Sequence, residues 1–148
     1  MDKHAIKLLV AAVVMLLAGR ASAANCLPDV HGGWIRLAPG RMQMMLAGFG
    51  RVENPCPGST TITSARSTAF ADVSLHRTRL VDGISRMRAV PRLPIAAYGA
   101  AVFEPGALHL MLMQPAKPLK AGDHVRIEFH LLDGRAFHGD FVVRNPGG

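Results

Sequence analysis

Apolar and polar positions in this chain alternate over short runs, and turn residues separate the runs. Trp34 to Leu37 opens the series and is ended by Pro39-Gly40. A strand-like run through Met42, Met44 and Met45 leads to Phe49, with Met42 and Met44 expected on one face as ordinary packing residues, a secondary sulfur patch being the alternative. Thr60 to Ala65 and Ala71 to Leu80 follow, Pro91 to Pro94 breaks the chain, and Ile95 to Phe103 continues with weaker alternation. Glu104-Pro105-Gly106 turns into Ala107 to Met113, where alternation is strict. Val125, Ile127, Phe129 and Leu131 point one way, and Asp133-Gly134 turns into Phe137 to Val143. Period-two patterning with turn signals at short intervals predicts an all-β domain, a sandwich or a barrel. No stretch carries a sustained helical period, a repeat or a low-complexity segment.

Two hairpin features fix side-chain directions. Asp82-Gly83 between alternating runs is the signature of a two-residue turn. It pairs Val81 with Ile84, Thr78 with Met87 and His76 with Ala89, so His76 and Met87 become diagonal neighbours on one face, roughly 7–8 Å apart at the backbone. In Ala107 to Met113, residues His109, Met111 and Met113 share one face while Leu108, Leu110 and Leu112 share the other. The leucines are expected in the core and the His/Met face outside it.

The start of the chain reads differently. Lys3 and Lys7 precede an apolar run from Leu8 to Ala18, and Ala21-Ser22-Ala23 supplies small residues. Residues 1–23 are therefore expected to be a secretory signal peptide cleaved near Ala23, with an apolar run too short to span a bilayer, leaving a domain over residues 24–148 that is not inserted in a membrane. A lipoprotein reading of Cys26 meets a poor context, because Asn25 is large and polar. Without the first 23 residues the 17 basic and 10 acidic side chains become 14 and 9, a net charge of +5. That charge suits solubility, an acidic docking partner or an anionic surface. Basic residues are scattered and not interleaved with aromatics, which argues against nucleic acid. Two cysteines in an exported chain predict one disulfide, Cys26–Cys56, worth about 3 kcal/mol for a loop of about thirty residues. No CxxC pair supports the alternative of a thiol metal site.

The candidate chemistry lies in His76, Met87, His109 and Met111, with ten, twenty-one and one residues between them. Two imidazoles and two thioethers are ligands for Cu(I); thioethers have little affinity for Zn²⁺, Mg²⁺ or Ca²⁺. The competing reading is ordinary packing, since methionine fills irregular gaps in many cores. His130 and His138 flank the last hairpin on polar, outward positions and are expected to be a solvated pair, as no third ligand accompanies them.

The His-x10-Met-x21-His-x-Met pattern resembles that of the periplasmic PCu(A)C copper chaperones. The likeness runs from Trp34 to Val143 and includes Trp34-Ile35-Arg36, Ala38-Pro39-Gly40, Glu53-Asn54-Pro55, Gly83 to Arg88, Gly106 to Met113 and Lys120-Ala121-Gly122-Asp123. Arg77 departs from it where many members carry another Met, and the Cys26/Cys56 pair is not general in it. The resemblance implies a cupredoxin-like Greek-key fold. It also implies one Cu(I) held by His76, Met87, His109 and Met111, and delivery to a periplasmic acceptor such as the copper centre of cytochrome c oxidase or its assembly factor. A blue-copper electron carrier needs a Cys thiolate among its ligands, and neither Cys belongs to the His/Met cluster. No Ser/His/Asp signature, carboxylate cluster or open metal position with an adjacent acid or base points to an enzyme. Two further readings stay open: a periplasmic copper buffer without a fixed partner, and an exported β-sandwich that only makes protein contacts.

Overall fold

Ten strands and no helix make up residues 25–40 and 43–147, the part of the chain that the computed structural model describes. The expected signal segment, its cleavage point and Met42 lie outside the described residues. The strands are β1 (Asp29–Arg36), β2 (Met45–Glu53), β3 (Thr60–Arg66), β4 (Phe70–Val81), β5 (Ile84–Ala89), β6 (Leu93–Ile95), β7 (Ala100–Phe103), β8 (Leu108–Pro115), β9 (His124–Leu131) and β10 (Ala136–Arg144). They form one sheet in the order β5-β4-β8-β2-β1-β10-β9-β3-β6, with β7 also on β2. Pairing of Ala65 with Val73 joins β3 to β4 and closes seven strands into a barrel. The β1–β10 pair is parallel and the other pairs are antiparallel. Closure removes most of the exposed edge that an open sheet would present.

Alternation decides the interior. Ile127 and Phe129 of β9 are fully buried, as are Ile62 of β3 and Leu112 of β8, and Leu110 is 1% exposed. Phe129 stacks on Phe137 across the last hairpin with ring centroids 5.0 Å apart. The stretch 95–103, read as one weakly alternating run, is instead two strands. Tyr98 at φ 56° turns the chain between β6 and β7, and Leu93-Pro94-Ile95 pairs with β3. Pro94 is tolerated there because β6 is an end strand of the sheet.

Two local devices hold the N-terminal side. Cys26 and Cys56 are joined with their Cα atoms 5.7 Å apart, inside the range a disulfide requires. Asn54 is 1% exposed and ties three segments together: its Nδ2 donates to Gly58 O at 2.9 Å and Ala96 O at 3.0 Å, and its Oδ1 accepts from Cys56 N at 3.2 Å. Such buried amides are stabilising because leaving them unpaired is expensive. Strand β1 is bulged between His31 and Trp34, and Gly33 there passes close to β10. A Cβ on Gly33 would stand 2.7 Å from the backbone oxygen of Asp140. Gly33→Ala is expected to lower unfolding stability by about 1–3 kcal/mol, read from denaturant titration; an unchanged midpoint would contradict this packing.

Candidate metal centre

The β4–β5 hairpin has the expected register. Val81 faces Ile84, Thr78 faces Met87 and His76 faces Ala89. Asp82 at φ 51° and Gly83 at φ 75° occupy the left-handed region at both central turn positions, as a type I′ turn demands. This parity puts His76, Thr78 and Met87 on one face. On the other flank of β4 lies β8, where His109 is directly opposite His76 and Met111 is opposite Ser74. Leu108, Leu110 and Leu112 are buried, so the barrel interior holds one face of β8 and leaves His109, Met111 and Met113 on the outside.

His109 is the hub of the arrangement. Its Nδ1 lies 3.0 Å from the Ala107 carbonyl oxygen, which can only accept, so Nδ1–H is the donor. In the neutral ring this leaves a lone pair on Nε2. That nitrogen lies 3.2 Å from the Met87 sulfur, itself a lone-pair donor. Two electron-pair donors therefore face each other across a gap that a soft cation satisfies. The His76 ring stands 6.1 Å from that of His109, centroid to centroid. Its Nε2 is 3.1 Å from Ser74 Oγ, while its buried Nδ1 has no hydrogen-bond partner. Burial pushes the His76 pKa down, the neighbouring His109 adds to that, and Asp72 opposes it. The neutral, ligating form of His76 is favoured.

Met87, His109 and Met111 line one open cleft of 540 Å³, walled by Leu37, Pro39 and Met45 among others. Met87 is 47% exposed on the hairpin, whereas His76, His109 and Met111 are half-buried. His76 does not line that cleft; it sits half-buried on β4 beside His109. The donor set fits Cu(I): two nitrogens free of strong internal partners on one side each, and thioethers that do not protonate.

The methionine run before Phe49 differs from expectation. Strand β2 starts at Met45, which faces Met113 and lines the cleft with Met111, while Met44 precedes the strand and is 55% exposed. The sulfur beside the site is thus that of Met45, because the strand's parity is set by pairing with β8 and not by the local run. Arg77 is adjacent to His76 in β4, so alternation turns it to the opposite face, where it pairs with Arg88. His130 and His138 each lie against Glu128, whose carboxylate is 2.6 Å and 3.0 Å from their Nε2 atoms and also pairs with Arg66. Hydrogen bonding from Arg66 holds the Glu128 carboxyl below the usual range. His130 is less exposed than the outward position expected for it. Among the described residues no group of three or more His, Cys, Asp or Glu is arranged to hold a metal, so the donor set above depends on thioethers.

Comparison with known proteins gives a consistent picture. Residues 29–143 match the family described as "Putative lipoprotein LpqE-like". The curated protein "Putative lipoprotein Lxx21020" of Leifsonia xyli subsp. xyli is 31% identical over 107 residues, which are 72% of this chain and 63% of that protein. The chain therefore spans less than two thirds of that relative. Among solved structures, the copper-bound PCuAC domain from PmoF2 superposes with a TM-score of 0.64 at 16% identity, covering 80% of this chain and 93% of that one. The Cu(I) form of DR1885 from Deinococcus radiodurans also superposes at 0.64, at 26% identity, covering 86% and 85%.

Proposed function

The chain belongs to the LpqE-like family, whose domain is of the PCuAC type, and from that premise we propose that it is an exported copper chaperone which binds one Cu(I) through His76, Met87, His109 and Met111. The observation that carries this reading is the pair His109 Nε2 and Met87 Sδ, 3.2 Å apart with the other ring nitrogen held as a donor by Ala107. All four ligands are neutral, so the loaded site carries only the charge of the ion. Three of them line an open cleft, and Met87 is on a projecting hairpin. An exposed, weakly charged site of this kind lets an incoming thiolate displace thioethers one at a time.

Export rests on the signal-like residues 1–23, and the disulfide accords with an oxidising compartment such as the periplasm. The relatives carry lipoprotein names; in this chain the Cys26 sulfur is joined to Cys56, so we place the domain free of a lipid on that sulfur. The acceptor is a periplasmic copper protein, with the cytochrome c oxidase copper centre or its assembly factor as the first to test. A binding role, not catalysis, accounts for the residues.

The deciding experiment is a Cu(I) titration against a competing chelator for the wild type and Met111→Leu. One equivalent of tight Cu(I) in the wild type and a marked loss in the variant are expected. Equal affinities would remove Met111 from the site, and no bound metal at all would leave the protein-contact reading. A transfer assay with an acceptor domain separates a chaperone from a copper buffer.

A further inference from the structure

The ribbon that presents Met87 on one face presents arginines on the other. Arg77 is directly opposite Arg88 and Arg79 is directly opposite Arg86. These two pairs, with Arg92 from the following loop, line a second cleft of 630 Å³ whose floor and wall include Val81, Leu93 and Pro94. Like charges directly opposite one another in a ladder are destabilising, and two successive such pairs raise that cost. Of the other described arginines, four hold carboxylates, Arg51 with Glu53, Arg66 with Glu128, Arg126 with Asp140 and Arg135 with Asp133, and two lie over aromatic rings, Arg36 over Phe49 and Arg144 over Trp34. None of the five cleft arginines has such a partner among the described residues, and Arg77 Nε is buried without any hydrogen-bond acceptor. The guanidinium forks an incoming group can reach are those of Arg79, Arg86, Arg88 and Arg92, which are exposed around the hollow and suit an oxyanion from outside.

We propose that this arginine cleft is a docking surface for an acidic segment of a partner protein. Guanidinium forks match planar carboxylates in a bidentate way, and the apolar wall accommodates the stems of Asp and Glu side chains. A bilayer is a poorer occupant, because a planar surface does not enter a concave cleft and Asp82 would place a negative charge at the hairpin tip that would meet it. The inference extends the delivery reading, since one two-stranded element would hold the partner on one face and offer a copper ligand on the other. Binding of an acidic segment needs no copper, so the two readings can fail separately.

The test uses the full domain without metal and a fluorescein-labelled short peptide rich in Asp and Glu, with a Gln/Asn counterpart as control. The acidic peptide is expected to bind, the neutral one not to, and added salt to weaken binding as it screens exposed charges. Arg79→Glu/Arg86→Glu is expected to weaken peptide binding by about tenfold or more while Cu(I) titration of the same variant stays at the wild-type value, which also reports an intact fold. Lys117→Glu/Lys120→Glu makes the same change in net charge away from the cleft and is expected to have little effect. An equal loss in both variants would reduce the effect to net charge and overturn the proposal. So would full displacement of the peptide by an equal concentration of inorganic phosphate, which would mark a small-anion site. Binding to phosphatidylglycerol vesicles without binding to the peptide would overturn it in favour of a membrane surface.

Discussion

Replacing His109 by Ala is expected to weaken Cu(I) binding by more than about a hundredfold, since even residues that only orient metal ligands cost about 10–100-fold when removed. His109 has three roles at once. Its Nε2 meets the Met87 sulfur, its backbone is paired directly with His76, and Met111 follows it on the same face of β8. Removing the imidazole therefore takes away one proposed ligand and the nitrogen that faces the Met87 sulfur. Met87→Leu is the sharper companion, because it nearly conserves volume and removes only the sulfur. Met87 is half-exposed at an edge hairpin, so its loss leaves the core untouched and the unfolding midpoint is expected to stay near that of the wild type. The measurement is competition against a chelator of known Cu(I) affinity, with denaturant unfolding of both apo variants alongside. Wild-type affinity in His109→Ala would show that the copper, if bound, is held elsewhere.

Cu(I) affinity is expected to be nearly flat above about pH 7.5 and to fall on acidification by at most two protons per ion, from His76 and His109. An imidazole must be neutral to bind metal, so a proton competes for each ligating nitrogen, ordinarily near pKa 6.5. The sign follows directly: below the pKa of the apo protein the ring is charged, and binding the ion must release that proton. For His76 burial and the adjacent His109 hold the pKa below the ordinary value. Its share of the loss therefore starts at lower pH than for a free imidazole, and the slope of log affinity against pH steepens toward two as the medium becomes more acidic. His76→Ala should limit the slope to one and remove the steeper part. Met87→Leu and Met111→Leu should lower the curve at every pH and keep its limit of two, because thioethers do not titrate. Titrations from pH 5 to 8 with Cu(I) and with Zn²⁺ decide the matter. Tight Zn²⁺ binding that survives both Met substitutions would show the ligands to be misassigned, since two thioethers are poor donors to that ion.

Local signals in the chain were enough to specify the hairpin that carries His76 and Met87. Asp82-Gly83 admits the left-handed conformation at both turn positions, and that turn type sets the register of β4 and β5 without help from the rest of the fold. Strict alternation from Ala107 to Met113 likewise commits the leucines to the interior and His109 and Met111 to the outside, because one face had to be buried and the leucine face carries no polar side chain whereas the other carries His109. Two cysteines left a single pairing within the chain, and the structure has it. What connects these pieces was not legible. The adjacency of β4 to β8, which sets His76 against His109, is a pairing between strands far apart in sequence, and no local residue encodes it. The same holds for Met45: its place beside Met111 comes from the β2–β8 register, and a run of closely spaced methionines has no periodicity sharp enough to announce its parity. The break at Tyr98 was invisible because a non-glycine residue in the left-handed region leaves no turn signature of its own. Closure into a barrel through Ala65 and Val73, and the arginine face on the back of the β4–β5 hairpin, also arise only once the strands are assembled. Short-range turn chemistry and side-chain alternation are properties of neighbouring residues; which strand lies beside which is decided by burial of the whole core.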